Sequence, residues 1–186
     1  MAQGKELPDV IETKDVFVGD KKAPVTLMEF GDYESEDCAK VNEVVKKILE
    51  EFSGVVKFNF RHFPLTKIHQ RSQKAAEAAI SAAQDGKFWE MHNALFANRR
   101  NLGTTTLKLH AKDAGINRKE MLEELMNGTY GQNVHEDIAY GKKIGVTEIP
   151  TFFINGVMFS GKPSFENLSK EIIAASKKVK PAKKSK

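Results

Sequence analysis

Hydrophobic and polar positions change period several times along the chain, and each change marks an element. Val25-Thr-Leu-Met-Glu-Phe30 is a short, largely apolar run of strand length. From Ala39 to Phe52 the apolar positions are 41, 44, 45, 48, 49 and 52, which is one face of a helix. Ser53-Gly54 stops that helix, and Val55 to Phe60 alternates as a second strand should. Strand, helix, strand at this spacing predicts a right-handed β-α-β unit. Before it, Asp15 to Gly19 alternates briefly and Gly19 to Pro24 is a turn cluster.

From Arg71 to Asn127 the period becomes helical. Ala75 to Ala83 is a small-residue helix able to pack closely, and Asp85-Gly86 breaks it. Phe88, Met91, Leu95 and Phe96 share a face of the next helix, which places Trp89 and its phenylalanines in a core. Leu107–Ala114, Arg118–Met126 and Val134–Ile144 are further predicted helices. The end returns to strand: Ile149 to Ile154, an Asn155-Gly156 turn, a hairpin partner over Val157–Ser160, then a last helix near 165–177. The expected organisation is a loose segment over 1–14, one domain over 15–176 with a helical insertion near 70–128, and a Lys-rich tail over 177–186.

Charge changes this picture little. The net +4 rests on the last ten residues, which carry six lysines and no acid. Without them the body is mildly acidic, so no nucleic-acid partner is expected. No apolar run reaches the ~20 residues a membrane span requires. Met1 to Pro8 lacks the apolar core of a signal peptide, so the chain is expected to be cytoplasmic as written, or extracytoplasmic if a leader has been removed. The five histidines show no i, i+4 pair, which gives no reason to expect a metal.

The chemistry centres on Phe30-Gly-Asp-Tyr-Glu-Ser-Glu-Asp-Cys-Ala-Lys40. A loop between a strand and a helix N-terminus gathers unpaired backbone N–H groups, an environment that lowers a thiol's pKa. The lone cysteine, Cys38, excludes an intramolecular disulfide and a Cys-pair zinc site. Ser35 is a suitable N-cap. The acids Glu36 and Asp37 suit a first helical turn but oppose a thiolate at Cys38, so a poorly reactive thiol is expected.

This segment resembles the active site of the DsbA-like thioredoxin-fold disulfide oxidoreductases, roughly F-x-D-Y-x-C-P-x-C. Arg61-His-Phe-Pro-Leu65, Ala75-Ala-Glu-Ala-Ala79, Gly86-Lys-Phe-Trp-Glu-Met-His92 and Val146-Thr-Glu-Ile-Pro-Thr-Phe-Phe-Ile-Asn-Gly156 carry the similarity over roughly 16–175. The resemblance implies an α/β thioredoxin fold, a central mixed β-sheet flanked by helices, with an inserted helical block. It implies a mixed-disulfide mechanism without a cofactor, acting on polypeptide thiols or disulfides, with glutathione or a redox partner protein as further partners. By resemblance Ser35 holds the position of the nucleophilic cysteine and Cys38 that of the second, which in the family is shielded inside the first helical turn, a further reason to expect a poorly reactive thiol. Pro150 corresponds to a cis-proline, and Ile149 meets a substrate strand; Glu36 and Asp37 are the remaining candidate substrate-binding positions.

Serine cannot form a disulfide, so three readings stand. The chain is an oxidoreductase whose cysteine was replaced by serine. Or it is a redox-silent relative that binds extended polypeptide beside Ile149-Pro150. Or, as in kappa-type glutathione transferases and a related isomerase, Ser35 holds the thiol of glutathione.

Overall fold

A computed structural model describes residues 10–179. Its sheet has five strands: β1 (Val18–Gly19), β2 (Val25–Gly31), β3 (Val56–His62), β4 (Thr151–Ile154) and β5 (Val157–Met158), in the order β1-β3-β2-β4-β5. Strands β2 and β3 are parallel, joined through α1 (Glu36–Glu51), while β1, β4 and β5 run antiparallel to their neighbours. Between β3 and β4 come α2 (Ser72–Ala83), α3 (Phe88–Ala97), α4 (Thr104–Asp113), α5 (Met121–Asn127) and α6 (Gly131–Lys143). Helix α7 (Phe165–Lys178) is the last element among the described residues. This is the expected thioredoxin fold with inserted helices. The segment 1–9 and the tail from 180 onward lie outside the described residues.

The period-2 alternation of β2 divides the core. Val25 and Leu27 face one side with Phe58 and Phe60 of β3, beneath α1 and α7. Phe30 faces the other, with Phe63, Val146 and Phe153, under α6. On α1 the buried apolar residues are Val41, Val45 and Ile48, each worth about 2 kcal/mol on burial. Phe152 and Ile154 of β4 join the first side and Phe153 the second. The β4–β5 turn needs left-handed backbone at both central residues, and Asn155 and Gly156 supply it with φ of 48° and 79°. Asn155 then fastens the turn to β2: its Oδ1 accepts from the Thr26 N–H at 2.7 Å.

Several boundaries differ from those the pattern predicts. Asp15 closes a 3-10 turn (Thr13–Asp15), so only Val18–Gly19 pairs with β3. Helix α1 starts three residues before Ala39, because Ser35 caps it there. Helix α4 begins at Thr104, ahead of its first apolar residue. Helix α5 begins only at Met121, since Arg118 is held outside it by Glu124 and Asp85.

Asp137 of α6 joins three parts of the fold. Its carboxylate accepts from Thr13 Oγ1 at 2.6 Å, Arg61 Nε at 2.6 Å and the His62 N–H at 2.9 Å. It is almost wholly buried, and these charge-assisted bonds replace its lost hydration.

Candidate functional site

The loop Asp32–Ser35 leaves the end of β2 and enters α1. Asp32 organises it: Oδ1 accepts from the Glu34 N–H at 2.8 Å, and Oδ2 accepts from the Leu65 N–H at 2.8 Å. His69 Nδ1 also lies 2.8 Å from Asp32 Oδ2, and Glu34 Oε2 accepts from the Arg71 N–H at 2.7 Å. Two acids of the loop thus fix it to the segment after β3.

Ser35 is the N-cap, accepting the Cys38 N–H on Oγ at 3.2 Å. That bond satisfies one of the orphan donors of the first turn. Cys38 lies one turn inside and has no solvent exposure, against 7% for Ser35. Burial pushes the Cys38 thiol far above its ordinary pKa, and the Glu29 carboxylate adds to the rise. The Ser35 hydroxyl and the Asp32 backbone act the other way and are outweighed. Of the two causes expected to make Cys38 poorly reactive, its shielding inside the first turn dominates, and Glu29 rather than Glu36 or Asp37 supplies the opposing charge. Glu36 and Asp37 are exposed at the surface, where Glu36 pairs with Lys40 at 2.9 Å and Arg99 at 3.2 Å.

Glu29 was not among the sequence candidates, although a lone charge inside Val25–Phe30 is the signal that could have found it. It shares the face of Leu27, so its carboxyl lies in the apolar interior, and burial raises its pKa well above the ordinary value. Its Oε1 has no partner among the described residues. Room for it comes from Gly31: a Cβ there would stand 3.1 Å from Glu29 Oε1 and 2.6 Å from the Phe60 ring. Across from Gly31 on β3 is His62, fully buried with both ring nitrogens unpartnered. Burial lowers His62 to about 4.

Tyr33 sits between these groups. Its hydroxyl lies 3.0 Å from His92 Nδ1, and His92 Nε2 lies 3.1 Å from Asn42 Oδ1. Since Asn42 Oδ1 can only accept, His92 carries its proton on Nε2 and receives the Tyr33 hydroxyl on Nδ1. Burial holds His92 at about 3, with His62 adding to the drop. The Tyr33 ring packs on Phe60 and Phe96 at centroid distances of 5.2 and 4.9 Å.

The Ile149-Pro150 bond is cis. Thr151 pairs with Phe30, so Pro150 stands beside Gly31 where the Asp32–Ser35 loop begins. Both residues are partly exposed, and Ile149 packs against both sides of the core. The fold brings Ser35, Cys38, Ile149 and Pro150 to one end of the sheet, with Glu36 and Asp37 on the adjoining turn. Among the described residues there is no cluster of three or more His, Cys, Asp or Glu that could hold a metal.

The family model described as thioredoxin matches residues 12–174. This chain belongs to the thioredoxin family. Its fold is that of the DsbA-type members: the oxidised BdbD of Bacillus subtilis superposes with a TM-score of 0.79 at 26% identity, covering 87% of this chain and 92% of that one. A thioredoxin-like oxidoreductase from Silicibacter pomeroyi does so at 0.76 and 24%, with the same coverage. In sequence, the chain is 33% identical over 162 residues to a Salinispora arenicola protein named Na(+)/H(+) antiporter NhaA 1, covering 87% of this chain. The chain spans 25% of the length of that relative, so the name describes far more protein than the matched part.

Proposed function

We propose that this site is built for thiol–disulfide exchange with polypeptides, and that Ser35 removes the attacking sulfur from the two-cysteine cycle. In that cycle a thiolate at position 35 attacks a substrate disulfide, forming a mixed disulfide and expelling one substrate thiolate. Cys38 then gives up its proton and attacks the sulfur at position 35, expelling the second substrate thiolate. The two electrons come from the enzyme dithiol. With an oxygen at position 35 the first bond cannot form, and Cys38 is too buried and too weakly acidic to replace it. What remains is the surface that an extended chain would meet at Ile149 and Pro150, with Glu36 and Asp37 at its rim.

The observation that carries the reading is the position of Ser35: it caps α1 at the end of the sheet where the cis-proline stands, with a sulfur one turn behind. Insulin reduction, run in parallel on the chain and on its Ser35→Cys variant, tests it. Activity in the variant alone is the expected result. Activity in both would place the chemistry elsewhere. Silence in both, with saturable glutathione binding that Ser35→Ala weakens, would favour a glutathione site.

A further inference from the structure

The surface next to Pro150 carries an uneven charge. A cavity of about 240 Å³ opens between the end of α6, the cis-proline segment and the stretch that follows β5. Pro150, Met158, Phe159 and Pro163 are the apolar parts of its walls, Thr147, Thr151 and Ser160 the polar parts, and Glu148 is the single charged side chain among its described lining residues. Glu148 is exposed and makes no ion pair within 4 Å among the described residues. Its own carbonyl accepts from Thr151 Oγ1 at 2.7 Å, which fixes the backbone from which the carboxylate projects. Beyond the loop at the end of β2, Asp37 is likewise exposed and unpaired among the described residues, whereas Glu36 is occupied by Lys40 and Arg99.

We propose that this cavity receives a basic side chain, with an apolar neighbour, of an extended polypeptide, and that Glu148 is the specificity-determining residue. The proposal rests on the polypeptide-binding reading above and adds to it a class of sequence. The apolar parts of the walls suit the stem of a lysine or arginine, whose charged head then meets the carboxylate at the rim. A half-solvated pair of this kind contributes up to about 1 kcal/mol, or a preference of roughly three- to fivefold. It weakens as salt screens it.

The test is fluorescence anisotropy on the whole chain with three labelled extended peptides, identical except for Lys, Gln or Glu beside a leucine. The lysine peptide is expected to bind about three- to fivefold more tightly than the glutamine one, with the glutamate peptide weakest and the order collapsing in high salt. In Glu148→Gln the glutamine peptide should bind as before and the lysine advantage disappear; Glu148→Lys should reverse the order. Equal binding of all three peptides, or a lysine preference that survives in Glu148→Gln, overturns the inference and leaves polypeptide binding standing. If none of the three binds, both fall.

Discussion

Glu29→Gln tests the electrostatics of the buried site. Three groups titrate abnormally there in the accessible range: Glu29 upward from 4.5, His62 from 6.5 to about 4, and His92 from 6.5 to about 3. A histidine held neutral binds fewer protons folded than unfolded, so it withdraws stability as pH falls from 6.5 toward its folded value. Glu29 has the opposite sign. It keeps its proton in the folded state after the unfolded carboxyl has lost it, so stability falls as pH rises from 4.5 toward its folded value. Each group acts with a slope of at most about 1.4 kcal/mol per pH unit. Below 6.5 two histidines oppose one glutamate, and stability should rise with pH. Above 6.5 the contribution of the two histidines is complete and stability gains nothing further from them. In Glu29→Gln the opposing contribution of the carboxyl is gone, so the rise above pH 4.5 should steepen. Urea unfolding followed by Trp89 fluorescence from pH 4.5 to 8 reads both curves. The reasoning is refuted if the difference between parent and variant is independent of pH.

Other outcomes follow from the same geometry. Tyr33→Phe leaves His92 Nδ1 buried without its donor and should lower stability by about 1–2 kcal/mol, read as a urea midpoint shift at unchanged slope. Ser35→Ala removes the cap on Cys38 N–H and should cost about 1 kcal/mol in the same assay, while Ser35→Cys should cost less than Ser35→Ala only if its sulfur takes over that bond. Gly141→Ala would set a methyl 2.9 Å from the Phe30 ring and 3.0 Å from that of Phe63, and about 1–3 kcal/mol of destabilisation is expected in thermal or urea unfolding. Native Cys38 should react with iodoacetamide on the order of tenfold or more slowly than in urea, followed by mass; equal rates would contradict its burial. In the Ser35→Cys background, neutralising Glu36 and Asp37 should make the restored pair more oxidising against glutathione, because those carboxylates repel the thiolate at position 35.

Local pattern was enough for much of the fold. The apolar positions of α1, the alternation of Val55 to Phe60 after Ser53-Gly54 and the Asn155-Gly156 turn each encode their own geometry, and all three occur at or near the expected residues. The start of α1 was blurred because Ser35 and the acids after it lack the apolar spacing that identifies a helix, although they are good first-turn residues. Glu29 and Asp137 were missed for another reason. Their significance depends on which segments meet, such as Asp137 with Thr13, Arg61 and His62, across 124, 76 and 75 positions of sequence. The shielding of Cys38, the larger cause of its raised pKa, was expected, but the opposing charge was misplaced: Glu36 and Asp37 are near in sequence, whereas Glu29 is near within the low-dielectric interior.

The Asp137 junction bears on how such a chain could be rebuilt. An inserted block invites treatment as a detachable cassette, to be shortened, exchanged or transplanted onto a minimal scaffold. Here α6, the helix that follows the block, supplies the acceptor for the His62 end of β3 and for the turn that precedes β1. Excising the block together with α6 would leave the His62 N–H without its acceptor and a half-buried arginine without its counter-charge. A minimal version of this fold would have to carry a replacement carboxylate at that end of β3 before any shorter connection could succeed.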